Sequence, residues 1–316
     1  MTKPPRRKAL LPLARISQGA GVSVISPASF AMPERFDLGL SRLRDLGYVP
    51  QVGAGTQTRG PLFFAGSPVQ RLADFHGAFA DPATSFIAAV RGGYGSNYLL
   101  GDLHLSLIRK HPKPFFAYSD MTGIQLHLLD KIGLPAFHGP MVAADFYLED
   151  GVHLPSFQAA LAGQAYSVGS DEGLRTLKSG KARGILYGGC LSILVALLGT
   201  RWEPRTEGKL LFIEDVGAKP YQIDRMLWHL RQAGKLKGVR GIIFGEMLDC
   251  NSSGAPDNLL EDAIQSALSD LDIPIGIGLR SGHVSRQNVT LTFGVKAEFE
   301  AAEEARLHLL QPAVLP

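Results

Sequence analysis

Short apolar runs alternate with helical spacing through the first half of the chain. GVSVI at 21–25 has the pattern of a buried strand, closed by the turn residues SPAS. Over 34–46, apolar residues recur at Phe36, Leu38, Leu40, Leu43 and Leu46, a helical spacing that Gly47 ends. Residues 48–52 predict a second strand, and Ser67 ahead of Pro68 predicts the N-cap of a helix running to about 79. FIAAV at 86–90 predicts a third strand, which runs straight into Arg91-Gly92-Gly93-Tyr94-Gly95. Leu99, Leu100, Leu103, Leu105 and Ile108 then read as a helical stretch. The apolar residues from Phe115 make a strand that turns at Tyr118-Ser119-Asp120 and enters a helix near Met121.

Strands alternating with helices imply βαβ units and a mostly parallel sheet, whose ligand chemistry belongs at the carboxyl ends of its strands. The RGGYG loop and the Ser119 turn both fall at such ends. Beyond Met141 the pattern loosens, and 151–183 reads as a linker region between a domain at 1–150 and another at 184–316. In the second domain, strands are predicted at 184–187, 209–213 and 241–244, and helices at 191–198, 220–234 and 258–268. Residues 289–299 continue in β pattern.

The chain has 316 residues, a hydrophobic fraction of 45% and a charged fraction of 19%, values of a globular protein with a large core. Part of its net charge of +3 comes from Lys3, Arg6, Arg7 and Lys8, and no basic patch interleaved with aromatics follows, so no nucleic-acid binding is expected. The apolar run after that basic start is broken by Pro12 and Arg15, too short for a signal peptide, and no run approaches the ~20 apolar residues of a membrane span. Cys190 and Cys250 give neither a disulfide framework nor a zinc pattern. The expectation is a cytoplasmic protein with no membrane contact, no metal and no cofactor.

A serine on a strand-to-helix turn can be held clear of the sheet as a nucleophile, and the helix behind it offers unpaired N–H groups to negative charge. A serine hydroxyl needs a base, best a histidine oriented by a carboxylate. Of nine histidines, His283 stands out because SGHVS is a glycine-containing loop between apolar segments, while His138, in what reads as a tight FHGPM turn, lines a site or equally makes a structural hydrogen bond. Glu214 ends the apolar run KLLFI, where an acid is costly without a partner; a salt bridge or a helix cap is its bland alternative. Asp215 is an N-cap candidate, and Asp120 can cap the helix while its backbone N–H faces an oxyanion. Gly92 and Gly93 let the backbone approach a substrate closely, and RGGYG lacks the spacing of a nucleotide-binding loop. Arg91 has the fork that holds a carboxylate, or equally an interdomain salt bridge.

These residues sit in a longer set of motifs: SVISPAS, FAGSPVQRLADFHGAFADP, AVRGGYGSNYLL, AYSDMTGIQLHL, HGPM, GGCLSILVALLGT, LFIEDVGAKPYQIDRML and SGHVSRQNVTLTFGV, in this order. Together they resemble the LD-carboxypeptidases that cleave murein tetrapeptides, and the related microcin-immunity hydrolases, over nearly the whole chain. The resemblance implies a flavodoxin- or Rossmann-like N-terminal domain, a smaller β-rich α/β C-terminal domain and an active site between them. It implies Ser119 as nucleophile, Glu214 as acid and His283 as base, with oxyanion donors from the backbone of Asp120 and of Gly92-Gly93. Arg91, Tyr94 and Trp202 are the candidate substrate-binding residues. A murein peptide substrate and a homodimer are further expectations of the family.

The chain departs from the family pattern at Ala117, where glycine is usual, at Cys190, where asparagine is usual, and in the polar Ser285-Arg286-Gln287 after His283, where proline is common. A thiol lacks the donor and acceptor of an amide, so any polar contact at that position changes. The leading expectation is a serine carboxypeptidase of murein recycling. The alternatives are a hydrolase of peptide–nucleotide antibiotics, with Trp202 stacking on a base, and a non-catalytic muropeptide binder.

Overall fold

The computed structural model describes residues 9–251 and 258–315. The basic residues at 3–8 lie outside them. Five strands form a parallel array in the order β5-β4-β3-β1-β2: β1 (Gly21–Ile25), β2 (Val49–Val52), β3 (Phe86–Ala89), β4 (Phe115–Ala117) and β5 (Ala136–His138). The inner strands β3, β4 and β5 are buried at every residue, as strands covered on both faces must be, whereas the edge strand β2 is largely exposed. The connecting helices are α1 (Pro33–Asp45), α2 (Pro68–Ala80), α3 (Leu105–Lys110) and α4 (Thr122–Ile132). Ser67 caps α2 in a full capping box with Gln70. The leucine-rich stretch expected as one helix is a 3-10 turn at Ser96–Leu99 and then the short α3, separated at Gly101-Asp102.

The second sheet has eight strands: β6 (Tyr166–Gly169), β7 (Arg175–Lys178), β8 (Gly180–Cys190), β9 (Lys209–Glu214), β10 (Gly241–Gly245), β11 (Ile275–Leu279), β13 (Lys296–Ala301) and β14 (Arg306–Leu309), in the order β6-β14-β13-β8-β9-β10-β11-β7. Strands β8 to β11 are parallel and the flanking pairs antiparallel. Its helices are α6 (Leu191–Ala196), α7 (Pro220–Gln232) and α8 (Leu259–Ala267). The segment 151–183, expected as a linker, instead holds the helix α5 (Leu154–Ala162) and both edge strands β6 and β7. Those edge strands are short and partly exposed, so their apolar residues are too sparse to mark them in the sequence.

The remaining strand, β12 (Leu291–Phe293), leaves the second sheet's region and pairs antiparallel with β5 at the edge of the first. Helix α4 is wedged between the two cores. Its Ile124, Leu128 and Ile132 belong to the core of the first sheet, and Leu126 and Leu129 to that of the second. Each such leucine contributes about 2 kcal/mol by burial, so α4 ties the two halves together as well as following the Ser119 turn. At its first turn the Thr122 hydroxyl accepts the Cys190 N–H at 3.1 Å, and a Cβ at Gly189 would lie 2.6 Å from Thr122 Cγ2. Only glycine permits that approach. The carboxyl ends of β3, β4, β9 and β11 thus converge on one region between the sheets.

Candidate active site

Ser119 follows β4 and has φ of 63°, the left-handed region, on a residue with a side chain. Such a backbone costs of order 1–3 kcal/mol and persists where the surroundings impose it. The turn Ser119–Met121 leads directly into α4. Tyr118, on one side, is buried and packs its ring edge-on against that of His283, with centroids 5.1 Å apart. Asp120, on the other side, does not cap α4 with its carboxylate. That group accepts the Ser96 N–H at 2.7 Å, while the Ser96 hydroxyl donates to the Asp120 carbonyl, also at 2.7 Å. The turn is therefore stitched to the end of the RGGYG loop.

The same loop is held from its other flank. Tyr94 N–H donates to the Ser29 hydroxyl at 3.2 Å, and the buried Arg71 guanidinium donates to the carbonyls of Pro27 and Gly95 at 2.7 and 2.8 Å. These contacts bring Gly92 against the Ser119 turn: a Cβ there would lie 2.8 Å from Ser119 Oγ and 3.6 Å from Asp120 N. A pocket of about 220 Å³ is lined by Ser119, His283, Gly92, Gly93, Arg91 and Arg35, among others. Tyr94 and Trp202 are not among its lining residues. Tyr94 is exposed and stacks with Phe64 and Tyr98, and Trp202 lies beside Arg201 and His127.

Glu214 is the last residue of β9 and is fully buried. Its Oε2 takes both the backbone N–H of His283, at 3.1 Å, and the ring Nδ1, at 2.7 Å. Gly282 and Gly245 make room for it, since a Cβ at either would fall within 2.7 Å of Glu214 atoms. Burial pushes the Glu214 pKa up, but the charge and hydrogen bonds of His283 outweigh it, and the value ends below the ordinary carboxylate range. Burial likewise pushes His283 down, and the Glu214 charge and hydrogen bond, with Asp215 and Asp145 beyond, raise it above the ordinary imidazole value. Both shifts favour the ionised pair. With Nδ1 engaged by Glu214, the other ring nitrogen is the one left to serve a substrate or a nucleophile.

His138 ends β5 rather than forming a turn, because its backbone joins the sheet. It is fully buried between Tyr118, Phe212 and Phe293, and burial drives its pKa to about 4, so it is a neutral, packed ring. Asp215 caps the helix of another strand instead of one after its own, accepting the Ser192 N–H at 2.7 Å in the first turn of α6. Burial pushes the Cys190 thiol well above its ordinary value, which disfavours its thiolate. Arg71, Ser96, Ser29, Asp145 and Asn288 went unremarked in the sequence. Ser29, Arg71, Ser96 and Asn288 do sit in the quoted motifs, but each has a partner elsewhere in the chain.

Residues 22–139 match the LD-carboxypeptidase N-terminal domain, and residues 183–299 the LD-carboxypeptidase C-terminal domain. The chain belongs to the LD-carboxypeptidase family. Among its relatives is a probable murein peptide carboxypeptidase of Bacillus subtilis (strain 168), 37% identical over 298 residues, which are 92% of this chain and 91% of that protein. A murein tetrapeptide carboxypeptidase of Pseudomonas aeruginosa is 30% identical over 88% of this chain and 92% of its own. The microcin C7 self immunity protein MccF, in its wild type apo state, superposes with a TM-score of 0.88 at 23% identity, over 96% of this chain and 100% of that one. That likeness establishes a common fold. As a member of the LD-carboxypeptidases the chain is a serine-type peptidase. Among the described residues no helix is long and apolar enough to cross a membrane.

Proposed function

We propose that the chain is a carboxypeptidase that cleaves the L,D-peptide bond of murein tetrapeptides and releases the terminal D-alanine, in the recycling of peptidoglycan. The observation that carries the reading is the buried Glu214–His283 hydrogen bond facing the pocket in which Ser119 stands in a left-handed backbone. Ser119 attacks the carbonyl of the L-configured centre and His283 takes its proton. Glu214 holds the imidazole tautomer and stabilises the cation that forms. The oxyanion lies between the backbone N–H groups of Asp120 and of the Gly92-Gly93 turn. D-Alanine leaves with a proton from His283, and water, activated by the same ring, hydrolyses the acyl-enzyme.

Arg91 and Arg35 both line the pocket, and their guanidinium groups suit the free carboxylate that distinguishes a carboxypeptidase substrate from an internal peptide. The protein acts in the cytoplasm as a homodimer, needing no metal or cofactor. The test is D-alanine release from a defined tetrapeptide by Ser119→Ala. A fall of about 10⁴- to 10⁶-fold is expected, and release at the parent rate removes Ser119 from the role. Faster turnover of a peptide–nucleotide conjugate than of the tetrapeptide would instead assign the same triad to antibiotic immunity.

A further inference from the structure

Asp145 lies in neither of the sequence motifs that carry Ser119 and His283, yet it touches Tyr118, the residue before Ser119, and reaches Gly282, the residue before His283, through Asn288. Its side chain is buried, within a single π-type turn at Val142–Phe146 that follows β5. Oδ2 accepts the Met141 N–H at 2.8 Å, which fixes the carboxylate on its own segment. Oδ1 accepts the Tyr118 hydroxyl at 3.3 Å and the Asn288 Nδ2 at 2.9 Å. Tyr118 immediately precedes Ser119. Asn288 grips Gly282, the residue before His283, at both of its backbone groups: its Oδ1 accepts the Gly282 N–H at 3.0 Å and its Nδ2 donates to the Gly282 carbonyl at 3.1 Å.

Asn288 is itself anchored. Its backbone N–H donates to the Gly151 carbonyl at 2.8 Å, and its carbonyl accepts the His153 N–H at 3.1 Å. The anchor lies just after the Asp145 turn, so the chain that carries Asp145 also fixes the partner of the histidine loop. Resting on the serine-hydrolase reading above, we propose that Asp145 is a positioning residue. Its carboxylate joins the nucleophile turn to the histidine loop and sets the distance between Ser119 and His283.

Three donors converge on this one carboxylate, an arrangement an amide cannot match, because its NH₂ must face one of them. Burial drives the Asp145 pKa up to about 7, against the pull of Met141, Asn288, Tyr118 and the His283 charge. The groups facing it are Tyr118 from the turn after β4, with Arg91 acting on that phenol, and Asn288 and His283 from the loop after β11. The Asp145 charge in turn helps to raise His283. Removing it therefore lowers the pKa of the base.

The experiment is covalent labelling by a fluorophosphonate, a reagent for activated serines that needs no knowledge of the natural substrate. Labelling is followed by intact mass across pH in the full chain, with Ser119→Ala as control. Asp145→Asn is expected to slow labelling about 10²-fold at its plateau, the loss typical of a misplaced reacting group, and to move the acid limb to lower pH. Tyr118→Phe removes only one of the three donors and is expected to slow labelling roughly tenfold. The double variant should fall no further than Asp145→Asn alone, because Tyr118 acts through Asp145. A residue that serves only folding would leave the limb in place and the two losses multiplicative, and that result overturns the proposal. If Asp145→Asn does not fold, Tyr118→Phe decides: labelling at the parent rate and pH profile overturns it. A parent chain left unlabelled at Ser119 overturns the serine reading itself. A labelled parent with unaltered variants overturns only the role of Asp145.

Discussion

Ser119 and His283 face one pocket from two sheets, and they are held there by different physics. Ser119 is fixed by backbone: a left-handed turn, a helix start and a loop packed so close that Gly92 tolerates no side chain. His283 is fixed by charge, through a buried carboxylate whose pairing shifts both partners toward their ionised forms. The first half stores strain that the turn would lose if Ser119 were replaced by glycine. The second half stores electrostatic energy that is released only with its partner present. On the proposed mechanism, loss of either side is expected to abolish turnover with opposite consequences for stability.

The largest effect separates the two halves. Ser119→Gly is expected to reduce D-alanine release by about 10⁶-fold. It relieves a strain of order 1–3 kcal/mol at an entropic cost of roughly 0.5–1 kcal/mol. Thermal unfolding should therefore show a variant at least as stable as the parent. Glu214→Gln is expected to lose about 10⁴-fold in turnover and to be less stable by about 3 kcal/mol, because one member of a buried pair is left behind. A Ser119→Gly variant that unfolds earlier than Glu214→Gln would break the comparison.

Next comes the fit of the donor loop. Gly92→Ala places a methyl 2.7 Å from Ser119 Cβ, so the turn or the loop must shift. Turnover should drop about 10²-fold with a smaller effect on melting temperature, since the methyl meets the half-buried Ser119 at the pocket rather than the apolar core. An unchanged turnover would mean that the loop does not contribute to the oxyanion site.

How much of this was legible in the chain follows the same division. The strand ends at Ala89 and Ala117 and the turn after each were readable, because the elements that place them are contiguous and their apolar runs are strong. Glu214 at the end of KLLFI showed only as an unexplained acid, and its partner emerged from family resemblance rather than from spacing. The pairing of Asp145 with Asn288 was invisible, since it is a contact across 143 positions. The edge strands within 151–183 were hidden for a related reason: their pairing with β11 and β14 is supplied by distant sequence. His138 misled because HGP reads as a turn, whereas its own backbone completes β5.

The electrostatic half has a pH signature that the backbone half lacks. His283 is raised above 6.5, so its contribution to stability is full below that value and is lost as pH rises through its folded pKa. Glu214 is depressed below 4.5, so its contribution is full above that value and is lost as pH falls through its folded pKa. Both are complete between 4.5 and 6.5. With His283 as the proposed base the neutral imidazole is the active form, so kcat/KM should rise through an apparent pKa above 6.5 while calorimetric stability declines over the same interval. Glu214→Gln should lose this opposition, with an acid limb displaced to lower pH.

The smallest effects fall on the two aromatic residues expected to bind substrate. The Tyr94 ring stacks on Phe64 and Tyr98, and what holds its loop is the backbone bond to Ser29 together with the Ser96–Asp120 stitch. Trp202 packs beside Arg201 and His127 and is not among the residues lining the pocket. Tyr94→Phe keeps the ring, Trp202→Phe keeps an aromatic side chain, and both should change kcat and KM for the tetrapeptide by no more than about twofold, as conservative changes away from the reacting atoms do. A tenfold rise in KM with kcat unchanged would place that ring on the bound peptide, in uniform binding of ground and transition states. It would extend the substrate site beyond the pocket at Ser119.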